Sequence, residues 1–238
     1  MITTILFDLD GTLLPMDEDA FVKTYFGKLV QKLLPLGYDG DNLVTSIWAG
    51  TKAMMQNDGM DTNETVFWNT FSEIHGEKCL EDISLFDEFY RNEFHSVQSV
   101  CGFDPDAKKT VEELKKMGFR VALATNPLFP AVATEARLKW AGFSPEDFEL
   151  ISTYENFHYC KPNTEYYKEF ITGLGVSAEE CMMVGNSVEE DVIAAKKLGM
   201  QTFLCPACLI NKNGIDISGY PQGTFSDLVP YVKMNFDK

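Results

Sequence analysis

Short apolar runs alternate with helical segments through the second half of the chain, and this alternation restricts the fold more than any other feature. Residues 106–117 have helical spacing and are followed by Gly118; 119–124 read as a strand. Residues 130–141 read as a helix before Gly142, 148–152 as a strand, and 163–174 as a helix before Gly175. Then come a strand at 181–184, a helix at 188–198, a strand at 201–204 and a last helix at 225–234. Strands separated by helices pair in parallel, through right-handed crossovers. Thr3-Thr4-Ile5-Leu6-Phe7 is an earlier run of the same buried kind. Between it and the alternating part there is no strand signal. Residues 17–34 carry Phe21, Tyr25, Leu29 and Leu33 at helical spacing and stop at Pro35 and Gly37. Three more helices are expected at 41–57, 62–75 and 82–97.

The pattern predicts an α/β fold: a doubly wound parallel sheet forming a Rossmann-like core from 1–14 and 101–238. An all-helical cap, 15–100, is inserted after the first strand. In such sheets ligands bind beyond the carboxyl ends of the strands, at the switch point. The polar residues that stand out fall at those ends.

Asp8-Leu9-Asp10-Gly11-Thr12 follows the first strand. Acids two apart at a strand end put both carboxylates on one side. Charges that close need a cation or a shared proton. A calcium loop also begins Asp-x-Asp, but it needs Gly sixth and Glu twelfth, where this chain has Leu13 and Asp19. Thr125-Asn126-Pro127 ends the strand at 119–124, and its hydroxyl and amide could bond phosphate oxygens. By itself it reads as an ordinary turn. Lys161-Pro162 precedes a helix; such a lysine could offset the acids, although most lysines are solvated. Gly185-Asn186 follows the strand at 181–184, with Glu189, Glu190 and Asp191 just beyond. These acids could reach a metal, or simply complement a helix dipole.

The four segments, in this order and at strand ends, resemble the motifs of the haloacid dehalogenase-like hydrolase superfamily. The likeness spans the whole core, and the insert position matches the helical-cap subclass. The resemblance implies a Mg2+-dependent phosphatase that hydrolyses a small phosphorylated metabolite through an aspartyl-phosphate on Asp8. It makes Asp10 the general acid and base, has Thr125, Asn126 and Lys161 bind phosphate, and puts the metal among Asp8, Asp10 (through its main-chain carbonyl), Asn186 and Asp191. The family usually has Asp where this chain has Asn186, which removes one negative charge from the metal shell. A phosphomutase would use the same core residues. A phosphonatase would need a cap lysine, and Lys23, Lys28 and Lys52 are candidates. A dehalogenase has no use for Asp10. A regulatory protein with a decayed site is favoured only by Asn186.

Composition bounds the partners. The chain has 238 residues, 36 acids against 20 bases and a formal net charge of -16. That charge repels nucleic acid and anionic membranes. No apolar stretch reaches the roughly 18 residues of a membrane span, and no basic, apolar leader precedes the first strand. A cytoplasmic protein is expected, with six reduced cysteines. Cys205-x-x-Cys208 lacks the second pair a zinc site needs. His75, His95 and His158 form no ligand spacing, and Trp48, Trp68 and Trp140 are expected in the core. Composition does not disclose the oligomeric state.

Overall fold

The computed structural model describes residues 1–236. Four parallel strands make the sheet: β1 (Thr4–Phe7), β2 (Arg120–Leu123), β3 (Cys181–Gly185) and β4 (Gln201–Leu204), in the order β2-β1-β3-β4. β1 lies in the middle, with Ile5 opposite Val121 on one side and Met182 on the other. The chain therefore reverses direction across β1, and the crevice at the ends of β1 and β3 is the switch point. All four residues of β1 are buried, as a strand covered on both faces requires.

Helices α1 (Glu18–Leu33), α2 (Gly40–Met55), α3 (Asn63–His75) and α4 (Ile83–Arg91) separate β1 from the rest of the sheet. α1 buries Phe21, Tyr25, Leu29 and Leu33, the stripe its spacing predicts. Asp17, Asp39 and Thr62 cap the first three helices by accepting from main-chain N–H groups. Phe71, fully buried on α3, packs edge-on to Phe86 and stacks near Phe67.

This helical segment is tied to the sheet at both its ends and along one side. Met16 and Cys101 form an antiparallel bridge, and Gly102 N donates to Pro15 O at 2.6 Å. Where α3 begins, Asn63 N donates to Phe157 O and Glu64 N to Tyr154 O. The buried Asn63 amide also donates to Pro127 O.

The remaining helices are α5 (Pro105–Lys116), α6 (Ala131–Trp140), α7 (Thr164–Leu174), α8 (Ala194–Lys197) and α9 (Phe225–Phe236). Four expectations are corrected. The segment expected as a strand at 148–152 runs beside β2 through three main-chain hydrogen bonds but forms only one β-bridge, Ile151 with Leu123, and no full strand. It lies at the sheet edge and has only one β-branched residue, and Glu149 turns outward to Arg120. The helix expected at 82–97 breaks at Asn92, whose side chain bonds the Glu88 carbonyl; a 3-10 segment, Glu93–Val100, follows. The helix expected at 188–198 is a wider π turn, Val188–Ile193, running into α8. Trp48 is half exposed, unlike the buried Trp68 and Trp140.

Removing the Phe71 ring leaves a void at the centre of the helical segment. Phe71→Ala should lose about 3–5 kcal/mol of stability, read as a lower urea midpoint. A loss under about 1 kcal/mol would show that this cluster does not hold the helices together.

Candidate active site

Asp8 follows β1 directly, and its N–H donates to Val184 O of β3, which fixes the residue between the two strands. Gly11 then turns the chain with a φ of 81°. A side chain there would be strained, and its Cβ would sit 2.3 Å from the Asn186 amide nitrogen. Thr12 closes the turn, its single hydroxyl proton shared between Asn186 Oδ1 at 3.0 Å and Asp8 Oδ2 at 3.3 Å. The ends of β1 and β3 are thereby joined through one hydroxyl.

Lys161 is the cation of the site. It is buried, and its Nζ lies 2.9 Å from Asp8 Oδ1 and 2.7 Å from Asp191 Oδ1. Burial alone would lower its pKa, but the charges of Asp191 and Asp8 raise it well above the ordinary lysine value, so it stays protonated. Asp191 sits on the π turn after β3. Its second oxygen accepts from Ser187 N at 2.9 Å. Burial, with the Asp8 charge adding, pushes its carboxyl upward, while Lys161 opposes the shift. Gly185 makes room for this carboxylate, since a Cβ there would lie 2.1 Å from Asp191 Oδ2.

Asn126 holds Lys161 in place: its Oδ1 accepts from Lys161 N at 3.2 Å. Its Nδ2 donates to Glu190 Oε2, also at 3.2 Å. Burial first, then the Asp191 charge, push the Glu190 carboxyl up to about 7. Thr125 is buried; its carbonyl accepts from Ser152 Oγ at 2.6 Å and Tyr166 Oη at 2.9 Å.

Asp10 behaves differently from Asp8. Its carboxylate turns toward the Arg137 guanidinium and forms an ion pair. Its other oxygen, Oδ1, is buried without a partner, although a third of the side chain remains exposed. Lost hydration raises its pKa, with Arg137 opposing. Sequence reasoning missed Arg137. The signal was its place on α6, on the same face as Ala133 and Trp140, where an arginine must find a carboxylate. Arg137 also lies over the Phe129 ring, 4.4 Å from its centre.

Asp8, Asp10, Thr125, Asn126, Asn186 and Asp191 all line one cavity of about 350 Å³, and Lys161 lies behind it, against Asp8. Among the described residues, no three His, Cys, Asp or Glu side chains converge as a metal cluster. Cys205 and Cys208 are free thiols, and His158 pairs with Glu169.

A family model for the haloacid dehalogenase-like hydrolases matches residues 2–199. The chain belongs to that family, and it is an enzyme, a hydrolase. It is 28% identical to pyrophosphatase PpaX of Bacillus velezensis over 201 residues, 84% of this chain and 82% of the relative. It is 27% identical to ribulose-1,5-bisphosphate 5-phosphatase of Halopiger xanaduensis over 212 residues, 86% of this chain and 84% of the relative. Its fold is similar to that of a HAD phosphatase from Thermococcus onnurineus (TM-score 0.59, 23% identity, covering 100% of this chain and 99% of the other). It is also similar to that of CbbY from Rhodobacter sphaeroides crystallised with phosphate (TM-score 0.57, 18% identity, 96% of each chain).

The geometry explains the asparagine at position 186. Its Nδ2 donates to Cys208 O at 2.6 Å, and Ile210 N donates to its own carbonyl. A carboxylate would lose that donor and face an oxygen. Asn186→Asp should destabilise the metal-free protein by about 1–3 kcal/mol, seen as a lower Tm. An equal or higher Tm would show that the Cys208 carbonyl does not select the amide.

Proposed function

We propose that this hydrolase is a phosphatase acting on a small phosphorylated metabolite, with Asp8 as the nucleophile and a divalent metal, Mg2+, as cofactor. The observation that carries this reading is the meeting of Asp8, Lys161 and Asp191 at the switch point, on a cavity that Thr125 and Asn126 also line. The donor set suits a hard cation. Asp8 and Asp191 offer carboxylate oxygens and Asn186 its amide Oδ1, its nitrogen being taken by the Cys208 carbonyl, and no described main-chain N–H donates to the Asp10 main-chain carbonyl. Asp8, that carbonyl, Asn186 and Asp191 would hold the ion, with the Asp10 carboxylate kept for proton transfer. Bound there, Mg2+ would offset charge between the acids and the phosphoryl oxygens.

The chain's own groups supply the rest. Asp8 attacks phosphorus, the ester bond breaks, and the phosphoryl group passes to the Asp8 carboxylate. Asp10 gives a proton to the departing alkoxide. It then takes one from the water that cleaves the acyl phosphate. Its exposed third faces the cavity, while Arg137 sets its orientation. Lys161, protonated and already against Asp8, balances the charge of the transferring phosphoryl group. Thr125 and Asn126 bind its oxygens. Residues 15–100 act as a cap over the core of 1–14 and 101–238, limiting water and choosing the leaving group. The free thiols suit a cytoplasmic setting.

Asp8→Asn should abolish Mg2+-dependent phosphate release from an aryl phosphate, by more than about a thousandfold. Removal of metal by a chelator should do the same to the unaltered enzyme, reversibly. Turnover retained in Asp8→Asn would remove the proposed nucleophile.

A further inference from the structure

The cavity is two-sided. One side carries the acids and amides at the strand ends. The other, contributed by the helical segment, includes Phe26, Trp48, Met55, Phe67, Trp68 and Phe86. Trp48 and Met55 are each about half exposed, at 50% and 47%, on a helix whose inner face is otherwise packed. Phe26 and Trp48 lie side by side, their ring centres 5.5 Å apart. Large rings left open beside a catalytic cavity offer apolar area to a bound molecule.

The charges lining this cavity argue the same way. Glu18 and Asp87 are the carboxylates that the helical side adds to the lining, beside the Tyr25 and Tyr90 hydroxyls, which bond each other. Lys212 is the one lysine or arginine among the lining residues. Arg137 and Lys161 are already paired, with Asp10 and with Asp8 and Asp191. Among the described lining residues, a second phosphate on the leaving group would find Lys212 alone as an unpaired cation, without the bidentate arginine fork that recognises phosphate best. It would meet aromatic rings and two acids instead.

We propose that the substrate is a monophosphate ester of a bulky apolar alcohol, with the apolar portion seated between the rings of α1, α2, α3 and α4 and no second phosphate. This rests on the reading of Asp8 as the phosphoryl acceptor. A volume of about 350 Å³ is of the size that encloses a small organic molecule. The proposal separates this chain from relatives named for pyrophosphate and for a bisphosphate, whose leaving groups are anionic.

Three measurements on the enzyme test it. With Mg2+ present, kcat/KM for naphthyl phosphate should exceed that for pyrophosphate and for a sugar bisphosphate by roughly tenfold or more. In Trp48→Arg the ratio of naphthyl phosphate to sugar bisphosphate should fall by about tenfold, a comparison within one protein that a loss of folded fraction does not move. Without turnover, naphthylphosphonate should quench tryptophan fluorescence with a Kd roughly tenfold below the Kd of inorganic phosphate. Equal or better turnover of the bisphosphate overturns this inference and leaves the phosphatase reading standing. If no ester releases phosphate, the phosphatase reading fails and the phosphonate decides alone: tighter binding than phosphate supports the apolar seat, and equal binding overturns it.

Discussion

One buried ammonium organises this protein. Lys161 lies between Asp8, which follows β1, and Asp191, on the π turn that follows β3. Two carboxylates at such positions would repel and lift one another's pKa. The lysine turns that repulsion into a fixed arrangement, and the rest of the site is arranged to keep it there. Asn126 accepts from its main-chain N–H, and the Tyr166 ring lies 5.9 Å from its Nζ. Burial of a charge is tolerated only with such pairing. Metal binding to Asp8 and Asp191 would therefore bring a second cation to groups that are already partly neutralised.

The sheet supplies the rigidity this pairing needs. With β1 central and paired on both sides, Asp8 cannot drift without breaking hydrogen bonds to β3. Thr12 and Asn186 close the remaining gap, and the loop through Cys205 and Cys208 supplies the carbonyl that orients Asn186. The cysteine pair thus contributes through its backbone. The helical segment sets the other face of the cavity and is anchored by Asn63 beneath the loops that follow β2. The cavity is thus walled by two surfaces, the polar strand ends on one side and the rings of the helical segment on the other.

Much of this was legible in the sequence because it depends on local pattern. The alternation of strands and helices gave the parallel sheet, and the stripe on α1 was visible from spacing alone. Asp8 and Asp10 stood out as paired acids at a strand end, whereas Thr125, Lys161, Asn186 and Asp191 were singled out by the resemblance to the family's motifs; the fold brings them to one place. Their partners were not legible. Arg137 lies 127 positions from the Asp10 carboxylate it engages, and nothing in its neighbourhood names that partner. Glu190 looked like a helix-dipole acid, but it bonds Asn126. Trp48 fitted a core stripe and lies at the cavity rim, because burial depends on what the facing helices leave open. The strand at 148–152 fell short because it sits at the sheet edge, and the helix at 82–97 broke where the Asn92 side chain took up a main-chain carbonyl.

The stability of Lys161→Met in metal-free buffer tests this account most directly. Removing the ammonium leaves Asp8 and Asp191 buried together without their counter-charge, and unfolding in urea should show a loss of about 3–5 kcal/mol. Adding Asp8→Asn to the same chain should restore part of that loss. If Lys161→Met is as stable as the unaltered protein, or more so, the lysine is not what holds the strand ends together.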